Sequence, residues 1–210
     1  MTRILIVDDH ALFREGIKHI LQKHSDLNVI AEACDGREAL AAVREMDLDV
    51  VLLDLSMPGL GGLDILHDLV NERRRIATLV LSMHPEEQYA VRVLRAGAAG
   101  YLTKESAADE LVAAIRIVAR GGTYASPGII RLLAATLRSE WDTMPHHLLS
   151  DREFQVMRLL AEGKRVCDIA SELCLSEKTI TTYRARVLEK MHLRTNIEIT
   201  RYAIRQRLIE

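Results

Sequence analysis

Three carboxylates, a hydroxyl and an ammonium stand at the ends of short apolar runs, and together they suit phosphoryl chemistry. Asp8 and Asp9 follow Ile4-Leu5-Ile6-Val7, and Asp54 follows Val50-Val51-Leu52-Leu53. Ser82 ends Leu79-Val80-Leu81, and Lys104 comes after a weaker apolar stretch. Carboxylates held within a few ångströms repel one another, so such a cluster binds a hard cation or carries raised pKa values. Mg2+ suits it, because that ion takes a few carboxylates and fills its other positions with water and phosphate oxygens. A carboxylate beside Mg2+ can attack a phosphoryl group while the metal and an ammonium offset charge on the equatorial oxygens. Asp54 is then the nucleophile, Lys104 the ammonium, and Ser82 a hydrogen-bond donor to the phosphoryl group. Singly, each residue has a blander role: Asp9 as a helix N-cap, Asp54 as a turn residue, Lys104 as a surface lysine. Five suitable side chains at successive strand ends outweigh those separate readings.

The elements that must position them follow from periodicity. The apolar runs are too short for helices and do not alternate, so they are strands buried on both faces. Helix-period segments at 11–23, 37–46, 62–71, 86–96 and 107–119 separate them, and weaker strands fall at 27–33 and 98–101. Five βα repeats predict a doubly wound α/β fold with a five-stranded parallel sheet over residues 1–120. Ligands of such sheets lie beyond the carboxyl ends of the strands, where the five side chains stand.

Residues 121–147 read as a linker. Gly121-Gly122 ends the preceding helix, Ser126-Pro127 opens a short one through about Arg138, and Ser139–His147 is a flexible join containing Trp141. From 148 to 210 no strand signal remains. Ser150-x-x-Glu153 and Thr195-x-x-Glu198 are capping boxes, and helices start near 150, 167, 177 and 196. Four short helices with tight joins predict a small all-α helix-turn-helix domain.

Bulk properties narrow the function classes. Of 210 residues, 49% are apolar and 28% charged, which excludes a disordered chain. Residues 1–120 carry 14 basic against 19 acidic side chains and 121–210 carry 14 against 11, so an acidic module precedes a basic one. No apolar run is long enough to span a bilayer, and Cys34, Cys167 and Cys174 form no CxxC pair, so reduced, mostly buried thiols in a cytoplasmic protein are expected. Two enzyme readings fail on spacing. A dehalogenase-type phosphatase needs an aspartate where Ser56 stands, and a dinucleotide enzyme needs a glycine-rich turn where Asp8-Asp9-His10 stands; Gly59-Leu60-Gly61-Gly62 is misplaced for that role.

Leu5-Ile6-Val7-Asp8-Asp9-His10, Leu53-Asp54-Leu55-Ser56-Met57-Pro58-Gly59, Ser82 and Ala96-Gly97-Ala98-Ala99-Gly100-Tyr101-Leu102-Thr103-Lys104 resemble the receiver domain of two-component response regulators. The resemblance implies phosphorylation of Asp54 by a histidine kinase and Mg2+ held by Asp8, Asp9, Asp54 and the Ser56 carbonyl. It also implies a switch formed by Ser82 and Tyr101. Two departures stand out: Glu105 follows the lysine where the family often has a cis-linked proline, and Met83 follows the switch hydroxyl where a small residue is usual.

In the segment 177–190, Ile180, Tyr183, Val187 and Met191 form a core stripe, opposite Lys178, Thr181, Thr182, Ala185 and Glu189, with Arg186 and Lys190 on a flank. Such a helix, capped by Ser176, can enter a major groove while its flanks hold phosphates. Leu149-Ser150-Asp151-Arg152-Glu153, Asp168-Ile169-Ala170 and Leu175–Ile180 through Arg186 resemble the LuxR-type helix-turn-helix, which with a receiver in front is similar to the NarL/FixJ class. The resemblance implies DNA contacts at Lys178, Thr181, Thr182 and Ala185, supported by Arg186 and Lys190. It further implies a non-enzymatic transcription regulator that dimerises through its last helix, at Ile197, Tyr202 and Ala203, on repeated promoter sites, with RNA polymerase as a further partner. Thr181 replaces a common lysine, and Val166-Cys167 replaces the polar pair that usually caps the scaffold helix.

Overall fold

In a computed structural model, residues 1–57, 62–72, 76–138, 144–206 and 208–209 are described. Pro58–Gly61 of the motif after Asp54, and residues 139–143 of the expected join with Trp141, lie outside them. The chain divides into two compact units, Met1–Arg131 and Leu132–Glu210.

The first unit alternates strands and helices: β1 (Thr2–Val7), α1 (Ala11–Leu21), β2 (Leu27–Ala33), α2 (Gly36–Glu45), β3 (Val50–Asp54), α3 (Gly62–Asn71), β4 (Ala77–Ser82), α4 (Glu86–Arg95), β5 (Gly100–Thr103) and α5 (Ala108–Ala119). All pairings are parallel, in the order β2-β1-β3-β4-β5. The three unbroken apolar runs supply the three inner strands, because helices cover both faces and exclude polar side chains. Ile4, Ile6, Leu52, Leu79 and Leu102 form the floor on which α1 and α5 pack through Ile17, Leu21, Leu111 and Ile115. A register shift between Ile4 and Leu5 leaves Ile30 of β2 partly exposed.

β5 starts two residues later than its expected range. Gly97 ends α4 with φ +100°, a conformation that side chains disfavour, and a Cβ there would meet Val70 at 3.0 Å. The chain therefore turns through Ala98 and Ala99, then pairs Leu79 with Gly100 and Ser82 with Thr103. Lys104 consequently leaves the sheet directly beside Ser82.

α6 spans Pro127–Arg138, as the serine-proline start implies. In the second unit a 3-10 turn (Pro145–Leu148) leads into α7 (Asp151–Ala161), α8 (Val166–Glu172), α9 (Glu177–Lys190) and α10 (Asn196–Arg205). Phe154, Val156, Met157, Ile169, Ile180, Val187, Ile199 and Ala203 make its core. The Ser150–Glu153 capping box is complete. At α10 only half forms: the Thr195 side chain accepts from the Glu198 N–H, while Glu198 reaches past Thr195 to the N–H of Arg194. As Val166-Cys167 implies, α8 has no side-chain cap; Arg165 instead pairs with Asp168 in its first turn.

The thiols depart from expectation: Cys34 and Cys174 are exposed and Cys167 is half-exposed. Cys34 follows the edge strand β2, and Cys174 sits in a left-handed turn (φ 52°) after α8, so neither reaches a core.

Candidate functional site

Asp8, Asp54, Ser82 and Lys104 meet at the carboxyl edge of the sheet, because β1, β3, β4 and β5 all end there. The Lys104 ammonium lies 2.7 Å from Asp8 Oδ2 and 2.8 Å from Asp54 Oδ2, and all three side chains are buried. The ammonium also sits 4.6 Å from the centre of the Phe13 ring, a cation–π contact from α1. The other Asp54 oxygen accepts from the Ser56 N–H at 3.0 Å, and Asp8 Oδ1 accepts from the His10 N–H at 2.8 Å. Burial pushes the Asp54 carboxyl above its ordinary value, against the opposing pull of Lys104 and the Ser56 amide. For Lys104, burial favours the neutral amine, but hydrogen bonds to Asp54 and Asp8 outweigh it and leave the ammonium raised.

Asp9 is different. Its Oδ1 is buried and accepts no hydrogen bond, and the His10 ring nitrogen lies 2.9 Å away, an ion pair when that imidazole is protonated. Ligand atoms from Asp8, Asp9, His10 and Asp54 lie within 4.8 Å of one another. A hard-oxygen cluster with an unsatisfied carboxylate oxygen fits a divalent cation such as Mg2+.

Close approach of α3 to this edge requires glycine at 62, where a Cβ would lie 2.6 Å from the Asp54 carbonyl. The glycine run that is misplaced for a nucleotide thus includes one residue with a packing role beside the acidic site.

Ser82 is fully buried, and its Oγ accepts from the His84 N–H at 3.1 Å. Tyr101 is also fully buried and donates its hydroxyl to the His84 carbonyl at 2.6 Å. Both expected switch residues therefore hold the backbone of one residue, His84, in the β4–α4 loop, a contact that the sequence reading missed. The Lys104–Glu105 peptide is trans. Met83 is 62% exposed, and with Leu12, Phe13 and Ile20 it lines an apolar cavity of about 520 Å³ whose rim includes His10 and Lys104.

In the second unit, α9 buries Ile180, Val187 and Met191 and half-buries Tyr183, while Lys178, Thr181, Thr182, Ala185, Arg186 and Glu189 are exposed. Ser176 caps it by accepting from the Thr179 N–H at 3.1 Å. Lys190 is less free than its sequence position implies: its ammonium is 2.6 Å from the buried carboxylate of Glu153, tying the last turn of α9 to the start of α7. Arg184 Nε donates to Asn196 Oδ1 at 2.7 Å. On α10, Ile197 is 72% exposed, but Tyr202 and Ala203 are buried and do not belong to its outer face. Tyr202 instead packs inward with its hydroxyl 2.6 Å from His146 Nδ1. Ile204, half-exposed two turns after Ile197, continues the outer face.

Comparison with known proteins agrees with both halves. Residues 4–116 match the response regulator receiver domain, and residues 147–203 match the bacterial regulatory proteins of the luxR family. The response regulator GacA of Pseudomonas viridiflava is 38% identical over 100% of this chain and 99% of its own. Structures of RcsB are also similar. One, of RcsB from Salmonella enterica serovar Typhimurium bound to promoter rprA in the presence of the phosphomimetic BeF3-, has a TM-score of 0.66 and 26% identity, and covers 96% of this chain and 98% of its own. Another, of two RcsB dimers bound to two parallel DNAs, has a TM-score of 0.60 and 27% identity over 97% and 98% of the two chains. The chain belongs to the two-component response regulators of the NarL/FixJ class, in which a receiver domain precedes a LuxR-type DNA-binding domain. Among the described residues no helix is long and apolar enough to cross a membrane.

Proposed function

We propose that this chain is a cytoplasmic transcription regulator switched by phosphorylation of Asp54. The observation that carries the reading is the Lys104 ammonium held between Asp8 and Asp54, beside a buried Asp9 oxygen that accepts no hydrogen bond. Three carboxylates and one ammonium leave two negative charges, which a single divalent cation offsets. Asp8, Asp9, Asp54 and the Ser56 carbonyl are the ligands assigned to Mg2+, which when bound neutralises charge on the phosphoryl oxygens. An Asp54 oxygen attacks the phosphorus of a phosphohistidine on a histidine kinase; the P–N bond breaks and the imidazole nitrogen keeps the electron pair. Lys104 and the Ser82 hydroxyl then donate to the phosphoryl oxygens, and Tyr101 holds the adjoining loop through His84. The chain accepts this group once and is not a turnover enzyme. A kinase that brings its phosphohistidine to Asp54 meets the apolar groove beside Leu12 and Met83.

The output is DNA binding through α9, with Lys178 and Arg186 as cations, Thr181, Thr182 and Ala185 toward the bases, and Lys190 holding α9 to α7. A dimer joined along Ile197 and Ile204 of α10 matches repeated promoter sites, with RNA polymerase the downstream partner. The extents 1–120, 121–147 and 148–210 are the proposed receiver, linker and DNA-binding segments.

The test pairs mass with affinity. A small phosphodonor with Mg2+ adds one phosphate to wild type and none to Asp54→Asn. Phosphorylation shifts the chain toward dimer and raises affinity for promoter DNA by about 5–150-fold at fixed salt. Stoichiometric phosphate on Asp54→Asn contradicts the acceptor, and an unmoved dimer equilibrium and affinity contradict the output.

A further inference from the structure

The hydroxyls of Thr181 and Thr182 are already committed. Thr181 Oγ1 donates to the Glu177 carbonyl at 2.8 Å and Thr182 Oγ1 to the Lys178 carbonyl at 3.0 Å, each one turn back along α9. A threonine hydroxyl has one hydrogen, so neither side chain retains a donor for a base edge. What they offer outward is a methyl group and an oxygen lone pair. Ala185, exposed and three and four positions further on, adds a third methyl to the same face. Glu177 and Glu189, exposed at either end of that face, supply acceptors alone.

The base pairs of the major groove differ in what such a face can recognise. Guanine presents two acceptors, adenine an acceptor beside its amino donor and thymine an acceptor beside its C5-methyl; with both threonine hydrogens committed, Lys178 is the donor this face retains, and the methyl groups themselves tell bases apart by the C5-methyl. Thymine alone presents a C5-methyl, against which threonine and alanine methyls pack. Lys178, on the same face, and Arg186, on its flank, are exposed and have no ion pair among the described residues, which suits Arg186 to a phosphate and Lys178 to a phosphate or a base acceptor. Arg184 and Lys190 are held within the unit by Asn196 and Glu153.

We infer that Thr181, Thr182 and Ala185 make α9 a reader of thymine methyl groups, selecting half-sites with thymines under this face. The inference rests on the reading of α9 as the DNA-contacting helix and specifies what that helix reads. Each buried methyl contributes about a four-fold change in affinity.

The experiment starts with selection of bound duplexes from a random pool by the phosphorylated full chain. Each thymine of the selected half-site is then replaced by deoxyuridine, which removes only the C5-methyl. Wild type loses about four-fold per contacted thymine. Thr182→Ser, which keeps the hydroxyl and loses the methyl, binds the thymine site about four-fold more weakly and becomes indifferent to deoxyuridine at one position. Thr182→Val, which keeps the shape and loses the hydroxyl, retains both the affinity and the sensitivity. Wild-type binding unchanged by every deoxyuridine substitution overturns the inference while leaving DNA binding intact, as does a selected site without thymine. A chain that selects no duplex overturns the DNA-binding reading, and this inference falls with it.

Discussion

Replacing Lys104 by methionine tests whether its ammonium neutralises the acidic cluster. Methionine keeps most of the side-chain volume, so the change removes charge with little cavity cost. It leaves the Asp8 and Asp54 carboxylates, each 2% exposed or less, without the cation that stands 2.7 and 2.8 Å from them. Removing one partner of a buried ion pair costs about 3–5 kcal/mol, which for a unit of this size lowers the melting temperature by roughly 10–20 °C. The ammonium and a divalent cation compete for the same oxygens, so the variant binds Mg2+ more tightly. At a hundred times its dissociation constant, Mg2+ returns about 2.7 kcal/mol. Acid narrows the gap as well. A buried carboxyl whose folded pKa is raised binds its proton more tightly folded than unfolded, so stability rises as pH falls from the raised folded value toward the ordinary aspartate range. Without Lys104 to oppose burial, Asp54 rises further, and the variant gains more on acidification than wild type. The assay is thermal unfolding in chelator and in graded Mg2+, from pH 7 to pH 5. Equal stability of the two proteins in chelator, or equal stabilisation of both by Mg2+, refutes the argument.

Leu12→Asp places a charge in the apolar groove, and phosphotransfer from the kinase slows at least ten-fold while phosphorylation by a small donor is unchanged; equal slowing of both contradicts a docking role. Glu153→Gln keeps an acceptor for the Ser150 amide but loses the Lys190 ion pair, half-exposed on the lysine side, so the second unit loses about 1 kcal/mol at pH 7. Burial raises the Glu153 carboxyl, but hydrogen bonds from Lys190 and Ser150 outweigh it and leave it lowered. That stability is present above the ordinary glutamate pKa and is lost as pH falls through the folded value, where urea unfolding of the two proteins converges. Ser126→Ala removes the cap that accepts from the Ile129 N–H, lowering hydrogen-exchange protection at Ile129 and Ile130 by about 2–30-fold; protection equal to wild type contradicts the cap. Glu86→Ala leaves that cap in place but breaks its tie to α4, and in phosphorylated protein those amides no longer respond to the acidic site; a response equal to wild type contradicts the tie.

Features carried by adjacent residues were legible in the sequence. The inner strands are unbroken apolar runs, and Ser150, Ser176 and Thr195 mark helix starts through side chains that reach only three residues onward. The acidic site was legible because parallel strands must end on one edge, so a residue type after each strand becomes a statement about space. The rest depends on separations no local pattern encodes. Lys190 meets Glu153 across 37 residues, and Tyr101 finds its partner in the backbone of His84, whose side-chain type is immaterial to that bond. Tyr202 and Ala203 lie on the same helix as Ile197, and only packing of α10 against α7 decides which of its residues face inward.

His84 joins the acidic site to the rest of the first unit. Its N–H is held by Ser82 and its carbonyl by Tyr101, so both proposed switch residues contact one short loop. Two residues later Glu86 opens α4, and its carboxylate accepts from the Ser126 hydroxyl at 2.7 Å, the same oxygen that caps α6 through the Ile129 N–H. Tyr124 reinforces the attachment: its N–H donates to the Ala99 carbonyl at 2.8 Å, and its hydroxyl donates to Glu110 at 2.6 Å. These contacts strap the chain leaving α5 across the open edge of β5, where Tyr124 bridges Gly100. A phosphoryl group that draws the Ser82 hydroxyl therefore acts on a peptide whose loop ends in a contact to the α6 cap. An effect on α6 requires that the loop hold two different positions, one for each state of Asp54, because a phosphoryl group biases only states whose contacts with it differ. The cap of α6 is therefore the place within the first unit where such a shift should first be read.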